Sequence, residues 1–152
     1  MSTRPSQRCG GNVLRVVLDT VVFVRALINP KSRSGRLLLE YSSRFTLVVS
    51  EPTAHELLDV INRPELKAKY KSLDRIDART VIDLLSKAEA VKIGNPPSVV
   101  RDPKDNIFVA TAHVGRADYI VSEDKDLLVL ERTAGVPVIN TAAFIAILES
   151  EQ

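Results

Sequence analysis

The sequence predicts a single-domain α/β/α sandwich around a mostly parallel central sheet, and three observations carry that prediction. Short apolar runs, VLRVVLD (13–19), FTLVVS (45–50), DYIVS (118–122) and VPVIN (136–140), have the pattern of strands buried on both faces. Segments with helical spacing separate these runs, so strands and helices alternate along the chain. Acidic residues end or follow several of the runs. Open parallel sheets bind ligands in the crevice outside the carboxyl ends of their strands.

With 152 residues, 45% of them apolar and 26% charged, the chain has the size and composition of one globular domain. We divide it into a flexible leader over residues 1–12 (MSTRPSQRCGGN) and a domain over residues 13–150. The leader lacks the apolar stretch of a secretory signal. No apolar run approaches the roughly 20 residues of a membrane helix. The single cysteine, Cys9, cannot form an internal disulfide, which fits a reducing, cytoplasmic setting. A net charge of +2 and a pI near 8.8 permit nucleic-acid binding without the heavy basic excess of a dedicated binder.

The elements follow in order. After the first strand, the stretches Val22 to Ile28 and Gly35 to Tyr41 read as helices. FTLVVS is the second strand, and Ser50 is placed to cap the next helix, with Pro52 in its first turn. Ala54, Leu57, Leu58 and Ile61 give that helix one apolar face, and Asn62-Arg63-Pro64 ends it. Asp74 caps a longer helix reaching about Ala90, and AVKI (90–93) is a short strand. Asp105 to Val114 is helical with Gly115 as its C-cap. DYIVS, a loop and short helix in EDKDLLVLE, and VPVIN come next, and Thr141 caps the final helix, AAFIAILE.

The acids concentrate at one rim of this sheet. Asp19 ends the first strand; Glu123, Asp124 and Asp126 follow DYIVS; Asp102 and Asp105 lie at the start of the helix feeding that strand. Each alone has an ordinary explanation as a helix cap, loop acid or turn residue. Together they bring like charges close enough to cost several kcal/mol unless a cation, a proton or an arginine intervenes. Hard oxygen donors without a cysteine–histidine set select Mg²⁺ or Mn²⁺ over zinc. A metal held by acids suits attack of water on a phosphodiester.

These residues resemble a known family. VVLDTVVFVRALI resembles the opening motif of PIN domains, VVSEPTAHELLDVINRPEL the second, RDPKDNIFVATAHVGRADYIVSEDKDLL the third and fourth, and VPVINTAAFIAIL the closing strand and helix. The likeness spans roughly residues 14–148 and is nearest to the bacterial and archaeal branch described as toxins of toxin–antitoxin pairs. It implies a ribonuclease that cleaves single-stranded RNA with Mg²⁺ or Mn²⁺, works as a homodimer and is inhibited by an antitoxin protein. Carried onto this chain, the catalytic acids are Asp19, Glu56, Asp105 and Asp124, and the metal ligands Asp19, Asp105, Asp124 and Asp126. Asp102, Asn106, Thr20, Ser50 and Ser122 are secondary candidates. A helical wheel turns Glu56 away from the apolar face of its helix, so periodicity alone makes it a solvated residue, with Glu51 the fallback.

Two positions depart from the family pattern. Asp-Thr is usually followed by Asn, and here residue 21 is Val. Loss of that amide implies a weaker hold on the first acid, typically worth about 10–100-fold in metal affinity or activity. Many relatives carry an acid where this chain has Asn106, which passes the role to Asp105. The alternative reading is therefore a weakened domain that binds RNA or a protein partner. A haloacid-dehalogenase-type phosphatase would need an acid at position 21, and a response-regulator receiver an acid pair at the first strand end, where residue 18 is Leu. His55 and His113 lack a partner spaced for a triad. Arg25, Lys31, Arg33, Arg36 and Arg44 gather near the first two helices as candidates for a phosphate groove. Aromatic residues, at 5%, are too few for a base-stacking platform.

Overall fold

The computed structural model describes residues 13–71, 83–94, 103–130, 132–133 and 135–150, without the side chains of residues 103–106 and 133. The leader, Asp102 and most of the expected 74–90 helix lie outside the described residues. Strand β1 is Leu14–Leu18, followed by helices α1 (Thr20–Ile28) and α2 (Arg33–Glu40) and a 3₁₀ turn at Ser42–Arg44. Strand β2 (Phe45–Ser50), helices α3 (Glu51–Ile61) and α4 (Pro64–Lys69), and strand β3 (Glu89–Val91) complete the first half. The second half holds α5 (Pro103–Val114), β4 (Tyr119–Val121), α6 (Lys125–Leu128), β5 (Arg132–Thr133), β6 (Val136–Ile139) and α7 (Thr141–Ser150).

The strands form one six-stranded sheet in the order β3-β2-β1-β4-β6-β5. All neighbours pair in parallel except β5 with β6. Chain order reverses between β1 and β4, the topological switch point where such sheets open a crevice. Alternate residues of β1 feed opposite faces, as a strand buried on both sides must. Leu14, Val16 and Leu18 enter a core with Val22, Phe23, Leu37, Leu38 and Phe144. Val17 enters a second core with Val48, Phe108, Val109 and Leu127. Helices α1, α2 and α7 thus cover one face and α5 and α6 the other, which is the predicted sandwich.

Several local expectations change. The 83–86 segment is helical, but β3 has begun by Glu89, so the helix stops short of Ala90. Pro64 does not simply terminate structure: it occupies the first position of α4, where its missing N–H has no helical acceptor to lose. Gly115 is the cap residue of α5, yet the left-handed position falls on Arg116 (φ 53°), with the Ala117 N–H returning to the Ala112 carbonyl at 2.9 Å. Gly115 is glycine for a different reason: an added Cβ would lie 2.4 Å from Cγ1 of Val48. Asn140, rather than Thr141, caps α7, its Oδ1 accepting from the Ala143 N–H at 2.8 Å. Strand β5 is an addition that the sequence reading did not contain.

Phe144 of α7 is fully buried, edge-on to Phe45 (5.5 Å between ring centroids, 75°) and tilted against Tyr119 (6.0 Å). Phe144→Ala should therefore cost about 3–5 kcal/mol. Leu39→Ala, on a side chain left 61% exposed, should stay within about 0.5 kcal/mol. Urea unfolding midpoints of the two variants check the contrast, and equal effects would contradict this placement of α7.

Candidate active site

At the carboxyl end of β1 the chain must turn into α1, and Asp19 makes the turn. Its extended backbone (φ −76°, ψ 168°) and side chain cap α1, with Oδ1 accepting from the Val22 N–H at 3.0 Å. Its own N–H continues the ladder to the Val121 carbonyl at 3.1 Å. Parallel registry of Leu18 with Val121 sets Asp19 beside Ser122, the residue that leaves β4. The Ser122 hydroxyl donates to Asp19 Oδ2 in a short hydrogen bond and accepts the Asp124 N–H at 2.9 Å. The single hydroxyl proton goes to Asp19, a carboxylate that can only accept, and an oxygen lone pair takes the Asp124 N–H. The Glu123 N–H adds a further donor to the same carboxylate.

Asp19 is 3% exposed. Burial pushes its carboxyl up to about 6; the donors from Ser122, Val22 and Glu123 oppose the rise, and the neighbouring Asp124 charge adds to it. Asp124 is half-buried and caps α6, with Oδ1 accepting from the Asp126 N–H at 2.8 Å. Glu56 reaches the site from α3: the Thr20 hydroxyl donates to its Oε2 at 2.7 Å. The buried stripe of α3 is Thr53, Leu57 and Ile61, and Glu56 flanks it on the side where α3 meets α1. The wheel described its angle correctly but not its neighbour. Glu56 is half-buried rather than solvated.

The remaining candidates fall elsewhere or are only partly placed. By strand registry Ser50 stands on the other side of Asp19. Its hydroxyl faces Thr111 Oγ1 at 2.7 Å and joins a capping box with Thr53 at the start of α3. Asp126 is exposed, and so is Glu51 in the first turn of α3. Asp105 and Asn106 lie in the first turn of α5, their side chains outside the description. Val21 is 39% exposed in the first turn of α1, and the donors to Asp19 come from residues 22, 122 and 123 instead. Among the described residues, no three His, Cys, Asp or Glu side chains gather closely enough to hold a metal ion.

Two residues received no site role from the sequence: Glu123, named only among the rim acids, and Thr111. Glu123 Oε2 accepts from the Thr141 N–H at 2.9 Å and hydroxyl at 2.6 Å, tying the β4 end to α7. Its Oε1 lies 3.8 Å from Nη1 of Arg25. Thr111 is buried in α5, where its hydroxyl also donates to the Ile107 carbonyl at 2.6 Å. Glu123 had a signal in directly following a strand; Thr111 had none.

With this arrangement in view, the chain belongs to the PIN-domain family, whose model matches residues 15–126. It is 30% identical over 122 residues to the uncharacterized protein MJ1680 of Methanocaldococcus jannaschii, covering 77% of this chain and 75% of that protein. In structure it resembles PAE2754 from Pyrobaculum aerophilum (TM-score 0.56, 15% identity, 99% of both chains). It also resembles a chain of VapBC2 from Rickettsia felis bound to a promoter DNA fragment (0.55, 17%, 84% of this chain and 98% of that one). A chain of DNA-bound VapBC from Salmonella typhimurium is similar as well (0.56, 16%, 85% and 99%). At these identities the structural likeness is one of fold. PIN domains are generally nucleases, and those nucleases typically use divalent metals.

The buried carboxyl gives a pH dependence of definite sign. In the unfolded chain Asp19 titrates near 3.8, in the fold near 6. Between those values the folded state holds the extra proton, so stability falls as pH rises, by roughly 3 kcal/mol once both states are ionised. Without metal, Asp19→Asn should therefore melt higher than wild type at pH 7.5 and lose that advantage toward pH 4. Melting curves of the two proteins that run parallel across this range would contradict the assignment.

Proposed function

We propose that this chain is a metal-dependent endoribonuclease that hydrolyses single-stranded RNA in the cytoplasm as the toxin of a toxin–antitoxin pair. The observation that carries this reading is the convergence of Asp19, Ser122, Asp124, Thr20 and Glu56 at the switch point of the sheet. Fold likeness to chains of VapBC complexes supports the toxin assignment, as does resemblance to the toxin branch, which also implies a homodimer and an antitoxin partner. Among the described residues no helix is long and apolar enough to cross a membrane.

The donor set fits Mg²⁺ or Mn²⁺. Asp19 is a carboxylate whose charge burial disfavours, and Asp124 adds a second negative charge beside it, so a cation would relieve both. Two carboxylates suffice in kind, because Mg²⁺ is commonly held by one or two of them and keeps waters and substrate phosphates as its other ligands. In this proposal Asp19 and Asp124 hold the ion, with Asp105 and Asp126 as the further ligands that the family pattern implies. When bound, the cation would supply charge neutralisation at the phosphate and an acidified water. Ser122 ties the Asp19 carboxylate to the backbone of Asp124 by bonding both at once. In this reading Glu56, whose Oε2 accepts from the Thr20 hydroxyl, would accept a proton from an attacking water.

A second reading, RNA or protein binding without turnover, is favoured by the exposed Val21 beside Asp19. Against it, the hydrogen bonds that hold Asp19 do not involve residue 21. Cleavage of a fluorescent single-stranded RNA across a Mn²⁺ titration decides between them. Wild type should cut while Asp19→Asn does not, and a wild-type rate equal to that of Asp19→Asn removes the enzyme reading. In parallel, Mn²⁺ should raise the melting temperature of wild type but not of Asp124→Asn; an equal rise in both would take Asp124 out of the ligand set.

A further inference from the structure

Five cations near the first two helices are candidates for a phosphate groove, and the fold sends them to different places. Arg36 lies 3.5 Å from Glu40 and over the Tyr41 ring. Arg44 donates to the Leu148 carbonyl at 2.6 Å and also lies against Tyr41. Both are thereby engaged around Tyr41. Lys31 and Arg33 are exposed around the start of α2, beyond the far end of α1 from Asp19. Arg25 alone among the five reaches the acidic rim: Nη1 lies 3.8 Å from Oε1 of Glu123, whose backbone joins Ser122 to Asp124.

We propose that Arg25 is a substrate-positioning residue that grips a phosphate of the RNA strand next to the cleavage site. This rests on the ribonuclease reading above. The rim that RNA must approach carries Asp19, Glu56, Glu123, Asp124 and Asp126, a field that repels a polyanion. A cation is needed where the strand enters, and a planar guanidinium with several donors suits a phosphate. Arg25 is available for that role. Its side chain is 57% exposed, and its contact with Glu123 is longer than a hydrogen bond. A pair at this separation, with its guanidinium largely in solvent, is weak and easily exchanged.

Glu123 does not depend on Arg25 for its place, because its other oxygen is held by both the N–H and the hydroxyl of Thr141. Arg25 can therefore leave without releasing the loop that carries Asp124. Val21 and Arg25 stand four residues apart on α1 and share its exposed side. That side runs from the mouth of the site outward. The Glu123 carboxylate serves as a resting place that keeps the guanidinium beside the acids without letting it enter them.

The test measures RNA binding by fluorescence anisotropy in the Asp19→Asn background, which leaves the strand uncut. Adding Arg25→Gln should weaken binding several-fold at low salt and flatten the plot of log affinity against log salt by about 0.7, the value for one phosphate contact on a single strand. Arg25→Lys, which keeps the charge, should restore most of the slope. Lys87→Gln, before the amino end of β3 and so at the opposite end of the sheet, is the control and should change neither quantity. An unchanged slope in Arg25→Gln, with binding otherwise intact, overturns the proposal and leaves the ribonuclease reading standing. Loss of affinity that Arg25→Lys does not rescue overturns it too, since that is the mark of damaged packing. If the Asp19→Asn protein binds no RNA at any salt concentration, the ribonuclease reading and this proposal fall together.

Discussion

Burying the carboxylate of Asp19 between two parallel strands constrains most of what surrounds it. Withdrawn from water, an ionised carboxylate needs donors on every side, and the fold assembles them from two separate stretches of chain. One set comes from the first turn of α1, which must start at residue 20 for the Val22 N–H to point back. The other comes from the segment after β4, which must be a residue-for-residue neighbour of β1 for Ser122 to reach. A slip of one position in the β1–β4 pairing would put Val121 or Glu123 opposite Asp19 and leave the carboxylate without its hydroxyl donor. Because Ser122 also holds the Asp124 N–H, the registry of two strands fixes the distance between two acids.

The same constraint explains why the site sits where it does. After β1 the chain turns to one face of the sheet, where Val22 and Phe23 enter the first core. After β4 it turns to the other, where Leu127 of α6 enters the second. The helices diverge, and the crevice between them is lined by the residues that make the two turns. Residues at such turns are helix caps by necessity, and Asp is among the best of them. Asp19 and Asp124 are both caps, so the ordinary structural explanation for each acid is correct and is also how the site is built.

The fold was largely legible because strands buried on both faces leave nearly continuous apolar runs, which β1, β2 and β4 do. What escaped was information that sequence periodicity does not contain. Pro64 reads equally as the end of one helix and the start of another, and the structure uses it as the start of α4. The antiparallel strand β5 is two residues long, too short for any pattern. Among the candidate site residues, Asp19 and Asp124 were legible because they stand at or shortly after a strand end, and the family resemblance supplied Ser122. Glu56 was not legible from periodicity, because its place depends on α1 packing against the flank of α3, and the family resemblance supplied it. Glu123 is bonded to Thr141, 18 residues further along, and nothing in its own neighbourhood announces that partner.

Identical chemistry in the sequence becomes unequal chemistry in the fold. Glu123 and Asp124 are adjacent acids on one loop, yet the first is held by two donors from the start of α7 with a guanidinium nearby. The second caps a single short turn and lies near enough to a buried carboxylate of the same sign to raise its pKa. A positive charge placed among them would gain little from Glu123, which already has its partners. It would gain most from Asp19, whose ionised form burial disfavours in spite of its three donors. Counting acids at a sheet edge therefore overstates the number that can act together. On the proposed reading, the acids that matter are those whose surroundings leave a charge unbalanced, and that condition favours Asp19 with its neighbour Asp124.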